Sequence, residues 1–289
     1  KENFKSIQSS LEKNNKTLLI CSSNAEIDYV YSIISEDINS INITRFYDRE
    51  ILPYDHFSTP DEMVKKRINE ILKLKKSRLI LSSLKNLFEF YPKYEFFDSL
   101  KTFNIGEKLI ISDLKNILES LNYLKVDKIA SLNEYSQRGG IIDINSTRYR
   151  NPIRIDFFDD FIESIREFDI KSQRSIIEIK SFKLNSGYEI PLNQEIVNSY
   201  KDKWREEFPN IDERTSDFFN KINKKNLPES YENYLPILIN KPINFFNLVM
   251  CEKIFISNNS DITNYGRLIT ERFNDENNGS RELIPPQKL

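Results

Sequence analysis

The order of apolar and polar positions changes character along the chain. In the first hundred residues, continuous apolar runs such as TLLIC at residues 17–21 and LIL at residues 79–81 have the length of buried strands. They alternate with segments at residues 24–34 and 61–75, whose apolar side chains recur at helical spacing. Continuous apolar strands separated by helices predict a mostly parallel sheet that helices cover on both faces.

The middle of the chain has a different pattern. After a predicted helix at residues 112–123, short segments have the character of strands: GGIIDIN, PIRIDFF, FIESIREFD and SIIEIKSFKL. The turn between the second and third of these is centred on Asp159 and Asp160, and it is too short for a crossover helix, which predicts an antiparallel hairpin. This block has the features of a separate α+β module with an antiparallel sheet, inserted into the chain.

Helical spacing returns after residue 187. We predict helices at residues 194–208, 215–222 and 264–274, and one strand in the run NLVMCEKIFIS. The tail NNGSRELIPPQKL is rich in turn-forming residues and is typical of a linker. The pattern therefore indicates three segments, residues 1–102, 103–186 and 187–289.

The segment PIRIDFF contains one unusual position. Alternation puts Ile153, Ile155 and Phe157 on one face of the strand and Arg154, Asp156 and Phe158 on the other. The first face is an ordinary core. The second places an aromatic ring beside two charges, and two interpretations remain open. In the first, Phe158 closes the hairpin or packs under a loop, and Arg154 pairs with Asp156 or Asp160. In the second, this face is a surface that binds a partner.

Composition narrows the class of protein. The 289 residues include 39% hydrophobic and 30% charged residues, which is typical of a folded, rather polar chain. No run reaches the roughly 18 apolar residues that a membrane span needs, and the start KENFKSIQSS lacks the apolar core of a secretory signal. Cys21 and Cys251 are far apart and are interpreted as buried free thiols, so we expect a cytoplasmic protein without membrane contact.

Three residue types that many active sites use, namely glycine, histidine and cysteine, are scarce, and none of the plentiful carboxylates stands in an apolar setting. The first of only six glycines is Gly106, so no glycine-rich loop is present that could cradle a phosphate in the first hundred residues. One histidine, His56, and two separated cysteines cannot form a zinc site of the usual spacing. We therefore predict no catalytic residues, no metal and no cofactor for this chain.

The charge balance of the middle block indicates the kind of partner that it would bind. Residues 131–180 contain 8 basic and 9 acidic residues, a net charge of −1, and the whole chain has a net charge of −2. Nucleic acid would prefer an excess of Lys and Arg, whereas a protein partner accepts an arginine and an aromatic ring as anchors within a charged rim. The pattern favours a protein-docking surface.

Five stretches in collinear order resemble one known family: LPYDHFSTPDEMVKKRINEI, NEYSQRGGIIDIN, PIRIDFFDDFIESIREFDIKSQRS, SYENYLPIL and LIPPQKL. They are similar to the N-terminal region of the bacterial transcription-repair coupling factors. The resemblance implies an α/β, parallel-sheet, helicase-like domain of degenerate P-loop NTPase type, similar to the excision-repair protein UvrB. Residues 1–102 and 187–289 would be its two parts, interrupted by the inserted α+β domain.

The resemblance also implies a function for the inserted domain. In this family it binds the excision-repair protein UvrA through two arginines and a phenylalanine, whose roles fall by motif on Arg138, Arg154 and Phe158. The family implies that this surface is masked in the resting protein. An ATP- and Mg²⁺-dependent translocase on double-stranded DNA and a module that binds RNA polymerase would lie in regions absent from this chain.

Two other functions remain open from the residues. The chain could be a nucleotide-dependent enzyme related to UvrB, which the missing glycine loop disfavours. It could also bind damaged DNA directly, which the charge balance does not support. We expect a fragment that is not itself an enzyme and that recruits UvrA to stalled RNA polymerase.

Overall fold

The computed structural model describes residues 2–37, 42–98, 101–190, 192, 194–277 and 282–285. In chain order, the strands are β1 (Thr17–Cys21), β2 (Ile43–Phe46), β3 (Leu79–Ser83), β4 (Lys101–Asn104), β5 (Leu124–Lys125), β6 (Glu134–Arg138), β7 (Ile141–Ile144), β8 (Ile153–Phe158), β9 (Phe161–Phe168), β10 (Ser175–Glu178), β11 (Ser181–Leu184) and β12 (Lys253–Ile256). The α-helices are α1 (Glu2–Glu12), α2 (Asn24–Asp37), α3 (Asp61–Lys73), α4 (Tyr94–Asp98), α5 (Ile111–Ser120), α6 (Gln194–Glu207), α7 (Asp217–Asn223), α8 (Leu235–Leu238), α9 (Phe245–Val249) and α10 (Asn259–Glu276).

The parallel sheet combines strands from both ends of the chain. Within the described residues, its order is β12-β1-β3-β2, and every neighbouring pair is parallel. Leu19 and Leu81 pack with α1 and α2 on one face, whereas Leu18 and Ile80 pack with α3, α4 and α9 on the other. The prediction of a parallel sheet with two covered faces is confirmed.

The middle sheet has the order β10-β9-β8-β7-β6-β5 over the part of the chain that the structure describes. Its neighbours are antiparallel except for the short parallel pair β5 and β6. The predicted hairpin is confirmed, because β8 and β9 pair on either side of Asp159 and Asp160. One face of this sheet packs on α5 and on a small antiparallel sheet of β4 and β11.

Two predicted strands differ from the structure. In NLVMCEKIFIS only Lys253–Ile256 is extended, because Asn244 caps α9 by accepting a hydrogen bond from the Asn247 N–H, and the left-handed Met250 then ends this helix. The run SIIEIKSFKL divides into β10 and β11, which belong to different sheets. Cys251 is also only partly buried, in contrast to the buried Cys21.

The third segment is largely helical, as predicted, and its core surrounds the buried Trp204. Part of the predicted linker packs against the protein: the Tyr54 hydroxyl donates to the Ile284 carbonyl at 2.8 Å, and the Tyr234 hydroxyl donates to that of Glu282 at 2.6 Å. Residues 278–281 and 286–289 of the predicted linker lie outside the described residues. No helix in the described part of the chain is both long and apolar enough to span a bilayer.

A buried ion network connects the parallel sheet to the point where the chain leaves the middle segment. Arg67 of α3 donates from Nε to Glu189 at 2.7 Å, and Arg49, which follows β2, pairs with the same carboxylate. Both arginines also donate to Glu89, at 3.0 and 3.1 Å. The network, whose four members are Arg49, Arg67, Glu89 and Glu189, therefore fixes the exit from the middle segment to the first segment.

Candidate functional site

The middle sheet turns a polar face away from the α5 side. Ile142, Ile153 and Ile155 point into the core, and the side chains between them along the strands point the other way. We call this the outer face and define it by the following residues: Arg138, Asp143, Arg154, Asp156, Phe158, Phe161 and Arg166.

Arg154 is held firmly at the centre of the outer face. Its direct cross-strand partner is Asp143 of β7, to which Nε donates at 2.7 Å and Nη2 at 2.9 Å. Nη2 also donates to the Gln173 side chain at 3.0 Å, and the guanidinium lies 4.2 Å above the ring of Phe168. These contacts leave the Arg154 side chain only 13% exposed, and the hydrogen bonds to Asp143 raise its pKa.

Arg138 shares the same carboxylate but remains accessible. Its Nη2 donates to Asp143 Oδ2 at 3.0 Å, and its side chain is 55% exposed. Asp143 itself is 3% exposed, so one buried carboxylate joins the two predicted arginines. An arginine has five N–H donors, and the described contacts of Arg138 leave most of its donors directed to solvent.

Asp156 belongs to a different ion pair. It accepts hydrogen bonds from Arg166 and Ser164 of β9. The interpretation in which Arg154 pairs with Asp156 or Asp160 is therefore wrong: register aligns Arg154 with Asp143 instead.

The hairpin end of the outer face is aromatic. Phe158 is 67% exposed, so the interpretation in which it packs under a loop is wrong, and the hairpin end of the face predicted by alternation is accessible. Its cross-strand partner, Phe161, is 47% exposed. Lys108 forms an isolated antiparallel β-bridge with Phe161. Because Lys108 is also exposed, it adds one residue to the accessible surface at the hairpin end.

The structure brings some predicted residues together and adds others. Asp143 links Arg138 and Arg154, while Phe158 lies farther along β8 at the hairpin end. Sequence reasoning missed Asp143 and Phe161 as members of this surface. The strand register is the signal that identifies both, because it places Asp143 opposite Arg154 and Phe161 opposite Phe158.

A second location matters for nucleotide binding, namely the carboxyl ends of the parallel strands, where ligands of open α/β sheets usually bind. After β1, the Ser22 N–H donates to the Glu26 carboxylate at 2.6 Å, and the Ser22 hydroxyl donates to Asp261. The Ser257 hydroxyl, after β12, donates to Glu26 as well, at 3.2 Å. Two carboxylates thus occupy the polar groups at this edge.

The same middle segment is similar to a known family of protein domains. Residues 102–188 match the family described as the UvrB interaction domain. Over 96% of its length the chain is 25% identical to a transcription-repair-coupling factor of Haemophilus influenzae, of which it covers 25%.

Two further relatives have the same name. The chain is 28% identical over 84% of its length to the transcription-repair-coupling factor of Escherichia coli, covering 22% of it, and 25% identical over 77% of its length to one of Staphylococcus aureus, covering 19%. It therefore spans about a quarter or less of the length of these curated relatives. The chain is thus similar over most of its length to transcription-repair coupling factors, and its residues 102–188 match the UvrB interaction domain.

Proposed function

We propose that this chain recruits UvrA through the outer face of its middle sheet. The observation that carries the proposal is the exposure of Phe158, 67%, at the end of a face that also presents Arg138. A large aromatic ring left in water on the same face as an accessible arginine is the composition of an interface anchor rather than of a resting surface. The match of residues 102–188 to a UvrB interaction domain supports this choice of partner.

The three predicted residues would then have different roles. Phe158 fills an apolar recess of UvrA, and Arg138 donates charge-assisted hydrogen bonds to an acidic group there. Arg154 already uses most of its N–H donors in hydrogen bonds to Asp143 and Gln173. It therefore acts chiefly by holding Asp143, and through it Arg138, in place.

The proposal extends to the whole protein through the name of its relatives. Within a transcription-repair coupling factor, residues 103–186 would be the inserted UvrA-binding domain, and residues 1–102 and 187–289 the two parts of a helicase-like domain. ATP-driven translocation on double-stranded DNA and binding of RNA polymerase would belong to regions outside this chain. Recruitment of UvrA by this region would couple the stalled polymerase to excision repair.

Replacing either accessible anchor tests the proposal. We expect Phe158→Ala and Arg138→Ala each to weaken UvrA binding by roughly tenfold or more, because both lose contacts that are made only in the complex. Isothermal titration calorimetry with purified UvrA measures the change, and circular dichroism checks that the variants fold.

Phe57→Ala is the matched control. Phe57 is a similarly exposed phenylalanine, 56%, in a loop of the first segment, and its removal should leave UvrA affinity unchanged. Folded Phe158→Ala and Arg138→Ala proteins that bind UvrA as tightly as the wild type would exclude the outer face as the docking site.

The first segment is proposed to be degenerate as a nucleotide site. A phosphate at the end of β1 would meet the carboxylates of Glu26 and Asp261, and the Ser22 N–H that should bind it already donates to Glu26. Nearby, the cavity lined by Asp48, Arg49 and Lys85 has a volume of about 50 Å³. A space of this size holds a few water molecules rather than a nucleotide.

We therefore expect no binding of Mg-ATP by this chain. Calorimetric titration with millimolar Mg-ATP should give only the heat of dilution, and the melting temperature should not rise with nucleotide, since a ligand of the folded state stabilises it by mass action. Saturable binding would revive the interpretation as a nucleotide-dependent enzyme.

A further inference from the structure

Phe161 is the outward-facing neighbour of Phe158 on the next strand. The two residues are direct cross-strand partners, and both side chains are exposed, by 47% for Phe161. Side chains of directly opposed residues in an antiparallel pair stand about 5 Å apart on the same face. The hairpin end therefore presents two neighbouring aromatic side chains rather than one.

A β-bulge explains why Phe161 points outward. Phe157 pairs with Ile162, whereas Asp156 pairs with Ser164, so Glu163 is an extra residue in β9. The extra residue reverses the alternation of side chains beyond it. Ile162 consequently enters the core, where it is buried, and Phe161 turns to the outer face.

The backbone around Phe161 is supported on the side away from β8. Residues 106–109 run alongside the start of β9: the Gly106 N–H donates to the Ile162 carbonyl at 2.8 Å, and the Ile162 N–H donates to the Glu107 carbonyl at 3.0 Å. The Leu109 N–H donates to the Asp160 carbonyl at 2.7 Å. The turn is thus held on both sides, and an anchor that is ordered before binding loses less freedom in the complex.

We propose that Phe161 is a second aromatic anchor for the same partner, so that Phe158 and Phe161 enter one apolar recess together. This inference rests on the proposed function and commits to UvrA as the occupant. The pair has three exposed and charged neighbours, namely Asp159 and Asp160 at the turn and Lys108 beside Phe161. An apolar centre with a charged rim is the usual anatomy of a protein interface.

A double-mutant cycle tests the inference. UvrA affinity is measured by calorimetry for the wild type, Phe158→Ala, Phe161→Ala and the double variant. We expect Phe161→Ala to weaken binding by roughly fivefold or more, and the double variant to lose less than the product of the two single losses, because adjacent anchors share one recess. Phe161→Leu, which keeps apolar bulk, should recover part of the loss.

The outcomes separate this inference from the proposed function. If Phe158→Ala weakens binding and Phe161→Ala stays within about twofold of the wild type, as the control Phe57→Ala should, the second anchor is excluded while UvrA docking stands. If the wild type does not bind UvrA, or no outer-face variant changes the affinity, the proposed function fails and the inference fails with it. Thermal unfolding should be nearly unchanged in Phe161→Ala, because this side chain is half exposed.

Discussion

Replacement of Glu189 by alanine should destabilise the protein by about 3–5 kcal/mol, the usual cost of removing one partner from a buried ion pair. Glu189 is the carboxylate that Arg67 and Arg49 share, and both arginine side chains are almost fully buried. Without it, the ion pairs described for these two guanidinium groups would be reduced to those with Glu89. For a chain of this size the melting temperature should fall by roughly 10 °C.

The same network predicts a dependence of stability on pH. Burial raises the pKa of the Glu189 carboxyl, but the charges and hydrogen bonds of Arg49 and Arg67 outweigh this effect, so the pKa lies below its usual value of 4.5. A carboxyl whose pKa is lowered by folding stabilises the protein above its usual pKa, and this contribution disappears as the pH falls through the lower pKa of the folded state. In Glu189→Gln this part of the acid sensitivity should be absent.

Urea denaturation of the wild type, Glu189→Ala and Glu189→Gln measures both effects, once at neutral pH and once below the usual pKa of a glutamate. Glu178→Ala is the control, because Glu178 is an exposed glutamate on the edge strand β10 and should leave the free energy of unfolding unchanged. A loss below about 1 kcal/mol in Glu189→Ala would contradict the structural role of the network, since that is the range of surface ion pairs.

The elements that could be predicted from the sequence are those whose environment repeats regularly. The central strands of the parallel sheet, β1 and β3, are buried on both faces, so their apolar runs are continuous, and β1 begins and ends as predicted. Alternation in β8 likewise separates core isoleucines from Arg154 and the exposed Phe158. Both predictions depend only on local chain geometry.

The bulge in β9 shows where local geometry is insufficient. Counted back from the buried Ile165, strict alternation would turn Phe161 into the core, beside Glu163. The extra residue reverses that assignment, and nothing in the letters FIES marks its position. The second aromatic side chain of the hairpin could therefore be recognised only once the pairing of both strands was known.

Register also determines which ion pairs form. Residues 145–152 separate β7 from β8, and the length and path of this loop set Asp143 opposite Arg154. From the sequence, the nearer carboxylates Asp156 and Asp160 are equally reasonable partners. The structure assigns Asp156 to Arg166 instead, which leaves Asp143 as the residue that organises both arginines.

Replacement of Asp143 by alanine should therefore affect both stability and binding. It removes three charge-assisted hydrogen bonds, two from Arg154 and one from Arg138. Arg154 would remain mostly covered above Phe168 without its ion-pair partner, at a cost of about 3 kcal/mol in the free energy of unfolding. Asp143→Asn keeps the shape and one acceptor, and its loss should be about half as large.

The binding result distinguishes two roles for Asp143. If it holds the arginines in a geometry that suits UvrA, Asp143→Asn should weaken binding roughly tenfold even though the surface becomes more positive, because the partner must then order both side chains. This is the outcome we expect. If Asp143 merely competes with an acidic group of UvrA, the same variant should bind more tightly, and the gain should shrink with added salt.

Asp156→Asn is the matched control for this experiment. Asp156 lies on the same face and is also ion-paired, but its partners are Arg166 and Ser164 rather than the predicted anchors. Calorimetry with UvrA at two salt concentrations, together with urea denaturation of each variant, separates lost positioning from lost folding. A folded Asp143→Asn protein with unchanged or higher affinity would show that the buried carboxylate does not prepare this face for its partner, and the contribution of Arg154 would then have to be direct.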